Sequence, residues 1–306
     1  MKVSCLVPVH NKAFFVEHTV RSVLNQTYEG MEVILSDQGS TDGSLRILHK
    51  LASEYTGPNT VRVVQCPHVD IKGFNGFNVH MNWLHDQTDA DLIIVVSADD
   101  LCHPDRVKRT VEIYQKYSPS LIGTRMQFLK PDMSYEGTSV FAYDLDETGR
   151  ESEGRFVTAK EHLTRLIGGS SSMAWERSFY HKVGGLQGHT ICDVYLPFLA
   201  CLDKGFYFIN EDLFAYIRHA REDNAGLGGQ MLAAQTDEDR LLLNELSNYQ
   251  VVSTLYNCGR VAVQLYKDKW EGEPCESLFN DIVNRTNDWT TCRDMINQRG
   301  LQPRKL

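Results

Sequence analysis

Two adjacent carboxylates, Asp99 and Asp100, stand just after the apolar run Leu92–Val96 and ahead of Pro104. Neighbouring carboxylates repel each other, so the pair invites a divalent cation, which can grip a diphosphate while it neutralises them. The same residues also read as an acidic turn in front of a helix that Pro104 starts. A further carboxylate, Asp37, follows the apolar run Met31–Ser36 and heads a turn that continues Gln-Gly-Ser-Thr-Asp-Gly to Ser44.

The elements around these residues decide whether they can meet. Leu92–Val96 shows no polar–apolar alternation, which predicts a central strand covered on both faces. Open α/β sheets bind ligands beyond the carboxyl ends of such strands, where Asp99 and Asp100 stand. Val3–Val9 predicts another strand, followed by a helix over Phe14–Gln26 whose Val16, Val20, Val23 and Leu24 share one face. Thr41 or Asp42 can cap a helix carrying Leu45, Leu48 and Leu51, and Val61–Gln65 predicts a third strand. A loop with Gly73 and Gly76, a helix near Asn78–Leu84, a helix from Pro104 to Tyr117 and a strand at Leu121–Phe128 continue the alternation. Such alternation predicts βαβ units, and therefore an α/β fold with a mainly parallel sheet flanked by helices.

The later part of the chain has a different character. Lys130–Arg155 is rich in Asp, Glu, Gly and Ser with few apolar anchors, and predicts an acceptor-side loop, a partly disordered excursion or a merely variable surface loop. Thr158 and Glu161 have capping-box spacing and open a helix to about Ile167. Ile191–Lys204 predicts a helix that Pro197 bends or divides, followed by short strands at Phe206–Ile209 and Leu213–Ile217. Beyond Met231, Leu241, Leu242, Leu246, Leu278, Ile282 and Val283 predict a helical appendage.

At 23% charged and 42% hydrophobic residues, the chain has the composition of an ordinary globular protein. Its net charge of -9 argues against general nucleic-acid binding. The first apolar run is too short for a signal peptide or membrane span, and no later run is long enough. Eight cysteines without a C-x-x-C pair suit reduced thiols and a cytoplasmic location. The first strand leads into His-Asn-Lys-Ala-Phe-Phe where a nicotinamide enzyme would carry G-x-G-x-x-G, and there is no P-loop.

Taken in order, the motifs resemble the inverting glycosyltransferases of family 2 with the GT-A fold, over roughly Met1–Gly226. The resemblance rests on Val3-Ser-Cys-Leu-Val-Pro-Val-His-Asn11, on Ser22-Val-Leu-Asn-Gln-Thr-Tyr28, and on Glu32 to Ser44 with Asp37 inside it. It continues through Gly76 with Asn82, Ser97-Ala-Asp-Asp100, Gly168 to Trp175, Val183-Gly-Gly-Leu186, Ile191-Cys-Asp193 and Tyr216-Ile-Arg-His219. It implies a donor site at Pro8, Val9, His10, Asn11, Asp37, Gly73, Asn82, Ser97, Ala98 and Asp99. It further implies Mn2+ or Mg2+ on Asp99 and His219, with Asp100 as a further ligand, and Asp193 as the catalytic base. Glu211 and Asp212 are the next bases to consider.

Two positions depart from the family pattern, Ser97 for its first Asp and Cys192 for its Glu. They keep open a second reading, an impaired glycosyltransferase-like protein that binds nucleotide sugars or serves as a scaffold. Otherwise the resemblance implies transfer from a nucleotide sugar, most simply a UDP-sugar, to a hydroxyl on a glycan, a lipid-linked or another acceptor. The expected organisation is a catalytic domain over 1–228, divided near 128 into donor and acceptor halves. A helical extension over 229–306 would follow, through which an oligomer could form.

Overall fold

The computed structural model describes residues 1–67, 73–138, 153–159, 161–162, 169–188, 190–219, 250, 253–255, 257–262 and 264–266. Among the described residues, ten strands form one sheet. These are β1 Val3–Val9, β2 Glu32–Asp37, β3 Thr60–Gln65, β4 Leu92–Val95, β5 Asp100–Cys102, β6 Leu121–Leu129, β7 Tyr135–Thr138, β8 Gly154–Val157, β9 Met173–Glu176 and β10 Phe206–Ile217. The main order is β3-β2-β1-β4-β9-β6-β10-β5, with β7 on β6 and β8 on β10. The β3-β2-β1-β4 portion is parallel, as the alternation predicts. Beyond it the sheet is mixed, because β9 runs antiparallel to both β4 and β6.

The apolar runs explain the two layers of core. Along β1, Leu6 faces one cluster with Ile34, Ile93 and Val95, while Cys5, Val7 and Val9 face the other with Val33, Leu35 and Ile94. This is the period of two that sends successive strand residues to opposite faces. The second face is covered by α1 (Val16–Leu24), α2 (Ser44–Glu54) and α4 (Arg106–Tyr117) through Val16, Val20, Val23, Leu48, Leu51, Val107 and Val111. The first is covered by α3 (Gly73–His85), α5 (Arg177–Lys182) and α6 (Cys192–Leu202). Cys258, Val261, Ala262 and Tyr266 of the described tail join that same cluster. No described helix is long and apolar enough to cross a membrane.

Several boundaries differ from the sequence reading. Gly73 and Gly76 lie inside α3, which starts earlier than Asn78. Phe206–Ile217 is one strand whose register shifts between Ile209 and Phe214 absorb the polar Asn210-Glu-Asp212 that looked like a break. Pro197 sits inside α6 without dividing it. The α2 cap is Gly43 in a left-handed conformation (φ 94°), and the Asp42 carboxylate accepts the Ser44 N–H at 3.0 Å. The Thr158–Glu161 capping box forms as read, with reciprocal bonds of 2.9 and 3.2 Å. Residues 139–152 of the Lys130–Arg155 segment, and Leu241, Leu242, Leu246, Leu278, Ile282 and Val283 of the tail, lie outside the described residues.

Candidate active site

The carboxyl ends of β1, β2 and β4 open on one sheet edge, since all three strands run parallel. Val9 pairs with Asp37 across β1 and β2. Pro8 is tolerated inside this sheet because the β1–β4 register ends at Leu6 and Val95, so that side needs no N–H from residue 8. The turns after β1 and β2 are bonded to each other. His10 Nδ1 meets the Gln38 carbonyl at 2.7 Å, the Asn11 side-chain oxygen accepts the Thr41 N–H at 2.8 Å, and Ser44 Oγ accepts the Lys12 N–H at 2.9 Å. Asn11 has φ 52°, a left-handed conformation that Asn tolerates better than most residues.

Asp37 is 1% exposed, and its Oδ2 accepts the Ser40 N–H at 3.0 Å. Its Oδ1 is buried with no hydrogen-bond partner among the described residues. A buried oxygen left in that state is costly, and a ligand N–H or O–H would relieve it.

Asp99 is where three parts of the chain meet. Its Oδ2 lies 2.8 Å from Lys12 Nζ, after β1, and 3.0 Å from His219 Nε2, after β10. Phe15 backs the imidazole, with ring centroids 4.5 Å apart and planes tilted by 30°. Burial works against a charge on Asp99, but the His219 hydrogen bond and then the Lys12 ammonium outweigh it and hold the carboxyl below its usual range. Asp100 behaves oppositely. Burial, followed by the charge of Asp99, pushes it well above the carboxylate range, and it bonds Ser171 and the Ile217 N–H.

The donor atoms at this meeting point bear on whether a metal fits. The Asp99 carboxylate and His219 imidazole supply oxygen and nitrogen donors of the kind Mn2+ and Mg2+ accept. Asp100, the further ligand expected, is the adjacent residue, and its carboxyl bonds Ser171 and the Ile217 N–H. Among the described residues no three His, Cys, Asp or Glu side chains gather as a metal site by themselves. The fit therefore needs further ligands from a diphosphate or water.

Other expected residues take different places. Val9 (1% exposed) and Ala98 (2%) have side chains packed in the core cluster of the α1, α2 and α4 face. Asn82 is fully engaged in bridging α3 to the Val183–Leu186 turn. Its amide donates to Leu186 O at 2.8 Å, and its oxygen accepts from Leu186 N–H at 2.9 Å and from the Tyr180 hydroxyl at 2.7 Å. Gly73 is the first described residue of α3. Ser97 accepts the Ser171 hydroxyl at 2.5 Å, so a serine pair stands where the family pattern has an Asp.

Asp193 lies in the first turn of α6. The Tyr216 phenol on β10 is pushed up to about 12, by burial first and then by nearby carboxylates, Asp193 among them. Glu211 and Asp212, the alternative bases, are held in ion pairs with Arg109 at 2.6 Å and Arg125 at 3.0 Å. Lys12 escaped the sequence reading, although a lysine directly after the first strand-end Asn was the available signal.

The sequence model described as "Glycosyl transferase family 2" matches residues 4–175, more than half of the chain. The chain belongs to glycosyl transferase family 2. Among its relatives, EpsE of Bacillus subtilis (strain 168) is 29% identical over 126 residues, 41% of this chain and 43% of EpsE. Chondroitin synthase of Pasteurella multocida (strain Pm70) is 31% identical over 108 residues, 35% of this chain and 11% of that protein. The chain thus spans less than half the length of these relatives. The crystal structure of S. aureus TarS 1-349 in complex with UDP-GlcNAc superposes with a TM-score of 0.58 at 14% identity, covering 91% of this chain and 78% of that one. At that identity the likeness shows the shared glycosyltransferase fold, and it spans both the parallel and mixed portions of the sheet.

Proposed function

We propose that this family 2 protein is an inverting glycosyltransferase that uses a nucleoside-diphosphate sugar, most simply a UDP-sugar, and a hydroxyl acceptor. The observation that carries the reading is the placement of Asp37 at the carboxyl end of β2 and of Asp99 beyond β4, the two parallel neighbours of β1. Strands sit about 4.8 Å apart, so the ends of β2 and β4 are roughly 10 Å apart along one sheet edge, a span suited to a nucleoside at one end and its diphosphate at the other. The unpaired Asp37 Oδ1 suits a base N–H or ribose hydroxyl. The UDP-GlcNAc complex of the TarS structure supports the same class of donor.

In this reading Asp99 and His219 hold Mn2+ or Mg2+, which when bound acts as a Lewis acid on the departing diphosphate. Asp193 takes the acceptor's proton, while Ser97 and the His10–Asn11 turn border the donor. Buried Cys192 (5% exposed) is directed into the core cluster, so its replacement of a Glu leaves Asp193 as the carboxylate at this helix start. Calorimetric titration with UDP, with and without Mn2+, separates an enzyme from an impaired homologue when combined with donor hydrolysis. Metal-dependent UDP binding with turnover of a UDP-sugar supports the proposal; failure to bind any nucleoside diphosphate sinks it.

A further inference from the structure

Lys12 occupies, at Asp99, the charge that a divalent cation would otherwise compensate. Its ammonium is 2.8 Å from Asp99 Oδ2, and the two side chains are only 9% and 16% exposed. The contact is aimed by the backbone. Asn11 takes φ 52°, the Lys12 N–H is held by Ser44 Oγ at 2.9 Å, and the Lys12 carbonyl accepts the Phe15 and Val16 N–H groups at 2.9 and 2.8 Å. With the main chain fixed at both its N–H and its carbonyl, the lysine stem alone is left to re-aim. On the other side of the same oxygen is His219 Nε2, at 3.0 Å, which leaves Oδ2 fully engaged.

We propose that Lys12 is the resident counter-ion of Asp99, neutralising it while no donor is bound and keeping free divalent cation off the carboxylate. The inference rests on the reading of Asp99 as the metal-holding carboxylate. An ammonium and a divalent cation on one carboxylate repel strongly in a site shielded from water. A nucleoside diphosphate brings the negative charge that lets both remain. Lys12 therefore couples cation entry to donor entry, and its ammonium stays beside the phosphates once Asp99 is released to the metal.

The test is titration of Mn2+ alone, followed by the electron paramagnetic resonance signal of the free ion, repeated with UDP present. The wild-type protein should bind Mn2+ well with UDP and at least about tenfold more weakly without it. Lys12→Met should tighten binding of Mn2+ alone by about tenfold or more, because the competing charge is gone, whereas Lys12→Arg should keep the wild-type pattern. Lys12→Gln provides a second uncharged variant, and thermal unfolding checks that each variant folds. If wild-type protein binds Mn2+ with UDP but neither uncharged variant gains affinity for Mn2+ alone, the role of Lys12 is overturned and the metal reading stands. If Mn2+ does not bind even with UDP, both are overturned.

Discussion

At the scale of single residues, the proposal stands on Asp193 and Asp37. Asp193→Asn should leave UDP affinity nearly unchanged while transfer to acceptor falls by about 100-fold or more, because an amide cannot take the proton. Asn serves well at a helix start, so a purely structural role for Asp193 would instead leave transfer near normal. Steady-state transfer and UDP titration, run on the same preparation, distinguish the two. Asp37→Ala should raise the donor KM more than it lowers kcat if its contact is equally strong in ground and transition states; a fall in kcat alone would count against a nucleoside role. Asp37, Asp99 and His219 were legible because each follows a strand in a recognisable motif. Lys12 was not, since its partner Asp99 is 87 positions away and only parallel pairing of β1 with β4 brings them together. The bonds of Asn82 to Leu186 and Tyr180 were not legible either, since both partners lie about a hundred positions away.

At the scale of elements, the joint between α3 and the turn before α6 carries a testable coupling. Gly185 has φ 65°, and a Cβ there would stand 2.5 Å from Asn82 Oδ1. Gly185→Ala should therefore cost about 2 kcal/mol or more, from left-handed strain plus the clash. Asn82→Ala should cost about 2 to 3 kcal/mol, since it leaves both Leu186 backbone groups unpaired. Because one oxygen lies at the centre of both effects, Gly185→Ala should cost less in the Asn82→Ala background, and urea unfolding of the double-mutant cycle would read this directly. Strictly additive costs would show that the two sites do not communicate. Elements with long apolar periodicity were readable in advance, whereas β5, β7, β8 and β9, of 3 or 4 residues each, were not. Their stability comes from neighbours far along the chain, which local pattern does not record.

At the scale of the whole molecule, His85 joins the two portions of the sheet and makes stability depend on pH. Its ring stacks on Tyr180 at 3.7 Å, its Nε2 accepts the Trp175 indole N–H at 2.8 Å, and its Nδ1 donates to Met81 O at 2.7 Å. Burial, the largest influence, lowers its pKa to about 3 from an ordinary 6.5. The unfolded chain therefore binds a proton that the folded one refuses, so stability is complete above about pH 6.5 and drains as pH falls toward 3. Between pH 7.5 and 5 this amounts to about 2 kcal/mol. Unfolding curves of wild type and His85→Gln at the two pH values should differ in that slope; parallel losses would exclude His85 as the source. Trp175 belongs to β9, and β9 has a consequence for how the protein is made. As the chain leaves the ribosome, β4 and β6 appear long before Met173–Glu176, the strand that fills the gap between them. For that interval two apolar strands have bare edges, open to pairing with another nascent chain. A chain ended after Leu129 should therefore aggregate during synthesis, whereas one that extends through β10 should not.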